Sequence, residues 1–364
     1  MDKVKIGIIG CGGIANGKHM PALSKLDDVE MVAFCDIVED RAEKAAKEYG
    51  AKGAKVFKNY KDLLKEDLDV VHVLTPNIDH SYITVDALES GKHVMCEKPM
   101  AINSVEAKKM LDAAHKTGKK LTIGYQSRSR ANSQHLKKII DAGDLGEIYY
   151  ARAQAVRRRA VPTWGVFLDE EKQGGGPLID IGTHALDLTL WLMDNYEPAM
   201  VVGSVFRKLA DTKNAANAWG SWDPKKFTVE DSAMGFIKMK NGATITLESS
   251  WALNTLFVDE AKTILCGDKA GADMQGEGDG ALRINGERFG KLYETLPDLK
   301  GGSAAFYEGK GGGNAEDVEA RQWIDHVKDD KKPLTVKPEQ AYVVTQLLEA
   351  IYESNKTGKP VFFD

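Results

Sequence analysis

Short apolar runs alternate with helix-forming segments along the first 125 residues, and this alternation constrains the fold more than any other feature of the chain. The run "VKIGIIG" at 4–10 is β-branched and ends in glycine, as a buried parallel strand does. Similar runs at 30–36 and 69–75 are followed by helical patterns, such as the strong helix formers of 39–50. The pattern predicts an α/β domain, with a doubly wound parallel sheet and right-handed crossovers.

The pattern changes after about residue 125, where several strand candidates follow one another at short intervals. Turn sequences such as 240–242 ("KNG") separate some of them. These features predict an α+β second domain with an antiparallel sheet. We expect a first domain over 1–125 and a second over 126–364, with the C-terminal helix packing back on the first. A glycine-rich stretch at 309–313 is predicted to be a loop.

Composition excludes several classes of function. The chain has 364 residues, 43% of them hydrophobic, and a net charge of −5. No global positive field attracts nucleic acid or an anionic membrane, and no apolar stretch is long enough to span a bilayer. The four cysteines are scattered without metal-ligand spacing, so we expect no metal site and buried free thiols. A cytoplasmic enzyme or binding protein remains.

A glycine motif follows the first strand and opens a helix, which is the context of a dinucleotide-binding fingerprint. Gly10 permits the tight turn, Gly12 lets the backbone approach a pyrophosphate, and Ala15 lets helix and strand pack closely. Gly13 and Ile14 lie where the helix N-terminus presents free N–H groups to an anion. We expect all of these positions except Ala15 to contact the cofactor. The alternative is a plain glycine turn.

Asp36 ends the second strand, where a carboxylate hydrogen-bonds the adenosine ribose hydroxyls. The same charge repels a 2′-phosphate, so NAD is predicted over NADP. Arg41, about one helical turn further on, partly favours NADP. The alternative is that Asp36 only caps the next helix.

Two later motifs carry chemistry. Lys98, in the sequence Glu97-Lys98-Pro99, follows a parallel strand at the edge where such sheets bind ligands. Asp180 and His184 are four residues apart at the start of an apolar helix, which puts both on one face. A carboxylate beside an imidazole fixes its tautomer and raises its basicity.

At this point the chain resembles the Gfo/Idh/MocA oxidoreductases over essentially its whole length. The residues that carry the resemblance are Gly10–Ala15, Thr75-Pro76-Asn77 with His80, Glu97-Lys98-Pro99, and Asp180 with His184. The resemblance implies a Rossmann domain followed by a domain with a large, mostly antiparallel sheet, and a homodimer or homotetramer. It also implies that Lys98, Asp180 and His184 form the catalytic set.

The resemblance further implies which side chains lie along the cofactor after the fourth, fifth and sixth strands: Thr75, Asn77, His80, Glu97, Lys98 and Gln126. For His80 a second interpretation stays open, in which a residue at a helix N-terminus bonds only to backbone. Lys98, Asp180 and His184 are also expected to contact the substrate.

Two further residues are candidates for substrate binding. Arg157 lies in the run "RRR", and Trp164 is placed to stack on a sugar face or the nicotinamide. An arginine on a solvated strand and a tryptophan in a core are the competing interpretations. The long segment 207–230 is predicted to be a lid or an oligomer contact. A sugar, glycoside or polyol fits these residue types. Within the family, the sequences at 157–167 and 174–188 resemble those of members that act on glucosides or related pyranoses, and this resemblance implies oxidation at C3 of a pyranoside as the specific hypothesis.

The predicted reaction transfers hydride from a secondary hydroxyl to the nicotinamide, with His184 as base and Lys98 stabilising the alkoxide. A variant of it gives the proton to Lys98. Two alternatives from other classes remain. One is an NAD-dependent glycosidase with transient C3 oxidation, and the other is a non-catalytic regulator that binds NAD or sugar.

Overall fold

A computed structural model of the protein describes residues 3–274, 281–299 and 314–364. The predicted loop at 309–313 lies outside the described residues. The chain divides into two compact units. The first contains the described residues of 1–126 and 313–342, and the second contains those of 127–312 and 343–364.

The first unit is built on a six-stranded parallel sheet in the order β3-β2-β1-β4-β5-β6, which confirms the predicted Rossmann topology. The strand order reverses between β1 and β4, and ligands bind at such a switch point. The strands are β1 (Val4–Ile9), β2 (Val29–Cys35), β3 (Lys55–Phe57), β4 (Val70–Val73), β5 (His93–Cys96) and β6 (Leu121–Ile123).

The helices of the first unit begin and end at residues suited to those positions. Asn103 accepts the N–H of Glu106 at one N-terminus, and Gly118 takes a left-handed φ of 66° at the other end of that helix. The bounds are Ala15–His19 (a π-helical turn), Met20–Leu23, Glu39–Tyr49, Tyr60–Leu63, Asn77–Asp79 (3₁₀), His80–Glu89, Ser104–Thr117 and Ala315–Lys328.

The helix after the glycine motif is not a regular α-helix. A π-helical turn over Ala15–His19 leads into Met20–Leu23. The change from π-helical to α-helical geometry coincides with Pro21, which has no N–H to continue the hydrogen-bond ladder.

The helix Ala315–Lys328 completes the core of the first unit although it lies far along the chain. Trp323 and Ile324 are 2% and 0% exposed and pack with Met20 and Leu23 in one apolar cluster. The first unit therefore consists of two segments separated in sequence.

The second unit is built on a nine-stranded sheet in the order β14-β13-β12-β11-β7-β10-β9-β8-β15. All of its pairs are antiparallel except β7 with β10, which confirms the α+β class with a large, mostly antiparallel sheet. The strands are β7 (Ile148–Val156), β8 (Pro198–Phe206), β9 (Ser232–Met239), β10 (Thr244–Ser250), β11 (Asp259–Gly267), β12 (Ala270–Asp273), β13 (Arg283–Arg288), β14 (Lys291–Thr295) and β15 (Val361–Phe362).

Helices connect and cover parts of this sheet, and one of them again begins as a π-helical turn, over Leu178–Gly182. Such turns are frequent at functional sites. The remaining helices are Gln126–Ser129 (3₁₀), Ala131–Asp141, Glu170–Gln173, Thr183–Met193 and Pro338–Thr357. Among the described helices, none combines the length and the apolar character needed to cross a bilayer.

Candidate active site

The glycine loop after β1 has glycines of two kinds. At Gly10, with φ +91°, an added Cβ would lie 2.6 Å from the carbonyl oxygen of Leu74, so the fold itself requires glycine there. At Gly12 and Gly13 an added Cβ would meet nothing within 4 Å. Packing gives no reason for these two glycines, and open space beside the backbone is what a pyrophosphate requires. Ile14 is also exposed, at 40%.

Asp36 joins the end of β2 to this loop. Its Oδ2 accepts the N–H of Cys11 at 2.9 Å, and its Oδ1 accepts the N–H of Val38 at 2.8 Å. The carboxylate is buried at 8% exposure. Each oxygen keeps a second lone pair, so the contacts leave room for a ribose hydroxyl as well.

The end of β4 contributes Thr75 and Asn77, both half-buried. The buried hydroxyl oxygen of Thr75 makes no hydrogen bond within the described part of the chain. His80 is buried, with Nδ1 2.8 Å from the carbonyl oxygen of Pro99 and Nε2 2.9 Å from that of Thr75. His80 therefore braces the end of β4 against the loop that carries Lys98.

The open space at Gly12 and Gly13 and the unsatisfied Thr75 hydroxyl fit a bound dinucleotide. These residues, with Asp36, would hold NAD, whose nicotinamide supplies a hydride acceptor.

Glu97 sets the backbone position of Lys98. Its Oε2 accepts the N–H of Lys98 at 3.0 Å, and its Oε1 lies 2.7 Å from Nζ of Lys18 and 2.8 Å from Nε2 of His19. Gln126 joins the same group, with its Oε1 3.1 Å from Nζ of Lys18. The Glu97 carboxylate is thus hydrogen-bonded to two side chains of the first unit and to the backbone N–H of Lys98.

Lys18 is shared by two buried carboxylates. Its second partner is Glu319, with Oε2 2.9 Å from Nζ. Burial lowers the pKa of Lys18, but the attraction of Glu319 and Glu97 outweighs burial and raises it above its ordinary value. Burial raises the pKa of Glu319, whereas Lys18 and His19 overcome burial and hold the pKa of Glu97 well below its usual range. Glu319 is therefore the carboxylate whose charge is less well compensated of the two.

In the second unit, Asp180 lies in the π-helical turn Leu178–Gly182, and His184 is the second residue of the helix Thr183–Met193. Both are half-buried. Oδ2 of Asp180 accepts the indole N–H of Trp251 at 3.1 Å. Because Trp251 is fully buried, it fixes the direction of the carboxylate.

A buried carboxylate holds the start of this helical segment. Glu230 accepts the N–H groups of Gly176 and Leu178 at 2.8 and 3.0 Å and the hydroxyl of Tyr352 at 2.9 Å. An added Cβ at Gly176 would lie 2.4 Å from the carbonyl oxygen of Glu230, which explains glycine at that position. Asp180 and His184 are thus carried by an anchored element.

Arg157 and Trp164 lie among aromatic side chains of the second unit. Arg157 donates to Glu260, with Nε 2.7 Å from Oε2, and its guanidinium lies 5.5 Å from the ring centre of Trp219. The rings of Trp164 and Trp219 meet edge to face at 4.9 Å. Trp164 is 51% exposed, so it is not part of a core.

Sequence reasoning did not find the partners of these groups. Lys18 and Glu319 are 301 positions apart, and Trp251 is far from Asp180 in sequence. A lysine and a histidine directly after the glycine motif, at 18 and 19, are the local signal that was available.

The first unit has the fold and the glycine loop of a nucleotide-binding domain. The second unit carries a carboxylate and an imidazole on an anchored helical segment. These features are those of a nucleotide-binding α/β enzyme with two units. The sequence model of the protein family "Oxidoreductase family, NAD-binding Rossmann fold" matches residues 4–125. The family model "GFO/IDH/MocA C-terminal domain" matches residues 133–273. The chain therefore belongs to the Gfo/Idh/MocA family, and it is an oxidoreductase with an NAD-binding Rossmann domain.

Two curated relatives are named as sugar dehydrogenases. D-glucoside 3-dehydrogenase of Escherichia coli (strain K12) is 36% identical over 98% of this chain and 97% of its own length. Glucose-6-phosphate 3-dehydrogenase of Bacillus subtilis (strain 168) is 32% identical over 68% of this chain and 67% of its own.

Solved structures share the fold at lower identity. Levoglucosan dehydrogenase in complex with NADH and levoglucosan is 20% identical, with a TM-score of 0.82 over 99% of both chains. Aldose–aldose oxidoreductase of Caulobacter crescentus, complexed with glycerol, is 23% identical, with a TM-score of 0.79 over 99% of this chain and all of the other.

Proposed function

We propose that the protein is an NAD-dependent dehydrogenase that oxidises a secondary hydroxyl of a sugar, glycoside or polyol, with C3 of a pyranoside as the preferred position. The observation that carries this proposal is the 36% identity to D-glucoside 3-dehydrogenase, which extends over 98% of the chain and so includes both units. Lys98, Asp180 and His184 are all present as the chemistry requires.

His184 is the proposed base. The hydroxyl proton must leave as the hydride departs, and an imidazole accepts a proton at neutral pH. Asp180, fixed by the indole of Trp251, orients the imidazole or a neighbouring substrate hydroxyl. Lys98 donates a hydrogen bond to the developing alkoxide and stabilises its charge.

Asp36 is the proposed determinant of cofactor choice. Its buried carboxylate is held by the N–H groups of Cys11 and Val38 at the end of β2. A fixed negative charge there binds ribose hydroxyls and repels a 2′-phosphate, which favours NAD over NADP.

The test is NADH formation by the purified protein with NAD⁺ and a panel of methyl glucosides, free aldoses and inositols, with NADP⁺ in parallel. We expect absorbance to rise with NAD⁺ and a glucoside, and NMR of the product to show a ketone at C3. His184→Ala should abolish turnover and leave NAD⁺ binding intact. Turnover that survives this substitution would show that another group takes the proton.

Cleavage of the glycoside without net NADH would instead indicate the glycosidase with transient oxidation. Binding of NAD⁺ and sugar without either reaction would indicate a regulator.

We also propose that the protein assembles as a homodimer or homotetramer through the large sheet. Val202, Phe206 and Phe236 on β8 and β9 are 38–42% exposed, and Val202 pairs with Phe236 across the two strands. Exposed apolar patches on a sheet mark interaction surfaces. Light scattering that gives the monomer mass would contradict this proposal.

A further inference from the structure

A row of aromatic rings in the second unit leads away from Asp180. Trp251 donates its indole N–H to that carboxylate, and Phe167 lies 6.3 Å from Trp251 between ring centres. Trp164 lies 5.9 Å beyond Phe167, and Trp219 lies 4.9 Å beyond Trp164. All three ring contacts are close enough for packing.

The row changes from buried to exposed along its length. Trp251 is fully buried, whereas Trp164 and Trp219 are 51% and 45% exposed. Because about half of each ring system stays in contact with water, these two adjacent tryptophans contribute little to the stability of the fold. Large exposed aromatic surface on a soluble protein marks a place where something binds.

Polar contacts hold the exposed pair in place. The carbonyl oxygen of Trp219 accepts the hydroxyl of Thr163, and the Asn217 side chain bonds the backbone of Val161 through both its oxygen and its nitrogen. Arg157 lies 5.5 Å over the Trp219 ring and donates to Glu260. Several polar contacts therefore fix the position of the exposed pair.

Trp164 also borders a cavity of about 600 Å³ within the second unit. That volume lies within the range of small-ligand sites. Hydrogen-bonding side chains line the same cavity and include Glu170, Glu171, Lys226 and Thr228. A flat aromatic wall with surrounding donors and acceptors suits a ligand that has one apolar face and a rim of hydroxyls, which describes a pyranose ring.

We propose that Trp164, Trp219 and the cavity beside Trp164 form a subsite for a second sugar ring, linked to the sugar that is oxidised. The inference rests on the proposed function and narrows its substrate class. The protein then acts on disaccharides and larger glycosides in preference to free monosaccharides or inositols. Segment 207–230, predicted as a lid or an oligomer contact, contributes Trp219 to this subsite.

The experiment compares paired ligands on the enzyme with NAD⁺: cellobiose with methyl β-glucoside, and maltose with methyl α-glucoside. Both KM and calorimetric Kd are measured for wild type, Trp164→Ala and Trp219→Ala. We expect one disaccharide to bind more tightly than its methyl glucoside. Each substitution should raise the ratio of the disaccharide's Kd to the methyl glucoside's Kd at least tenfold, and the ratio of their KM values likewise. The control is Tyr149→Ala, a residue on β7 that is 55% exposed, which should leave the ratio unchanged.

Two results would overturn the proposal. One is a wild type that binds neither disaccharide better than the methyl glucoside. The other is a substitution that weakens both ligands of a pair equally, since Trp164 would then act on the oxidised ring or on the fold. Circular dichroism and Tm of each variant identify a folding defect. Calorimetry separates a failure of the subsite from a failure of the proposed dehydrogenase activity. Disaccharide binding that depends on Trp164 supports the subsite even if no sugar yields NADH.

Discussion

Replacing Lys18 by methionine should destabilise the first unit strongly. The Lys18 side chain is 6% exposed and lies between Glu97 and Glu319, which are 5% and 9% exposed, at 2.7 and 2.9 Å. Methionine keeps most of the volume but removes the cation. Two buried carboxylates then lose the cation that pairs with both of them, while Glu97 keeps its hydrogen bond with His19.

The expected loss of folding free energy follows from the burial of the two carboxylates. Removing one partner of a buried ion pair costs about 3–5 kcal/mol, because the other charge stays buried and unpaired. Lys25 offers a matched control, since it also pairs with a carboxylate of the helix Ala315–Lys328. Its partner Asp317 lies 2.7 Å away, but the Lys25 side chain is 55% exposed. Lys25→Met should therefore cost about 1 kcal/mol or less.

Hydrogen exchange read by mass spectrometry measures both effects within one unit. Peptides from β1 and β4 should exchange roughly 10²- to 4 × 10³-fold faster in Lys18→Met, since each 1.4 kcal/mol is about a factor of ten when exchange follows unit opening. Peptides from β9, in the second unit, provide an internal reference. The double variant Lys18→Met/Glu319→Gln should recover part of the loss, because it removes one uncompensated charge.

Equal exchange in Lys18→Met and Lys25→Met would refute the reasoning. It would mean that solvent or His19 compensates the buried carboxylates as well as the lysine does. A double variant less stable than Lys18→Met would refute the assignment of Glu319 as the carboxylate whose charge is poorly compensated.

Three further predictions follow from single residues. Gly12→Ala should weaken NAD⁺ binding at least tenfold with an unchanged Tm, because the added Cβ meets nothing in the protein. Gly10→Ala should destabilise the fold by about 2–3 kcal/mol, because the added Cβ clashes with backbone and the residue has a positive φ. Calorimetry with NAD⁺ and thermal melts check this contrast, and an equal decrease in Tm for the two variants would contradict it. Asp36→Ser should raise the KM for NAD⁺ by roughly 10- to 100-fold, the worth of a hydrogen bond to a charged group, and an unchanged ratio of NAD⁺ to NADP⁺ use in steady-state kinetics would refute its role. Burial lowers the pKa of His93 to about 4, and its Nδ1 accepts the N–H of Lys120 at 3.0 Å. Folding therefore favours the neutral imidazole, so the contribution of His93 is complete above pH 6.5 and is lost as the pH falls towards 4. With its partial exposure allowed for, we expect about 1 kcal/mol less stability at pH 5 than at pH 7 in urea unfolding, and His93→Gln should remove that part of the pH dependence.

The parallel sheet was predictable because its information is local. Each strand is a short apolar run, and each helix that follows has its own end signals, as at Asn103 and Gly118. The short strands β12 and β14 were not predicted. The sequence AGAD of Ala270–Asp273 contains no large apolar residue, and Lys291–Thr295 is exposed at every position, so neither has the apolar sequence pattern that predicts a buried strand.

The candidate site was predictable only as far as its motifs. Glycine spacing identified the loop, and the four-residue spacing identified Asp180 with His184. The groups that hold these residues, Trp251 and Glu230, come from other elements of the fold. Pairing across such distances depends on tertiary packing, for which a single sequence offers no periodic signal.

The place of the helix Ala315–Lys328 has a consequence for synthesis on the ribosome. When the first 126 residues have emerged, Glu97 is available to Lys18 but Glu319 is not, and the apolar surface around Met20 and Leu23 still lacks Trp323 and Ile324. Almost two hundred residues, which form most of the second unit, must be translated before that surface is covered. A nascent chain of this protein thus carries an incomplete first unit throughout that interval, and this unit reaches its final stability only after the helix Ala315–Lys328 has been translated.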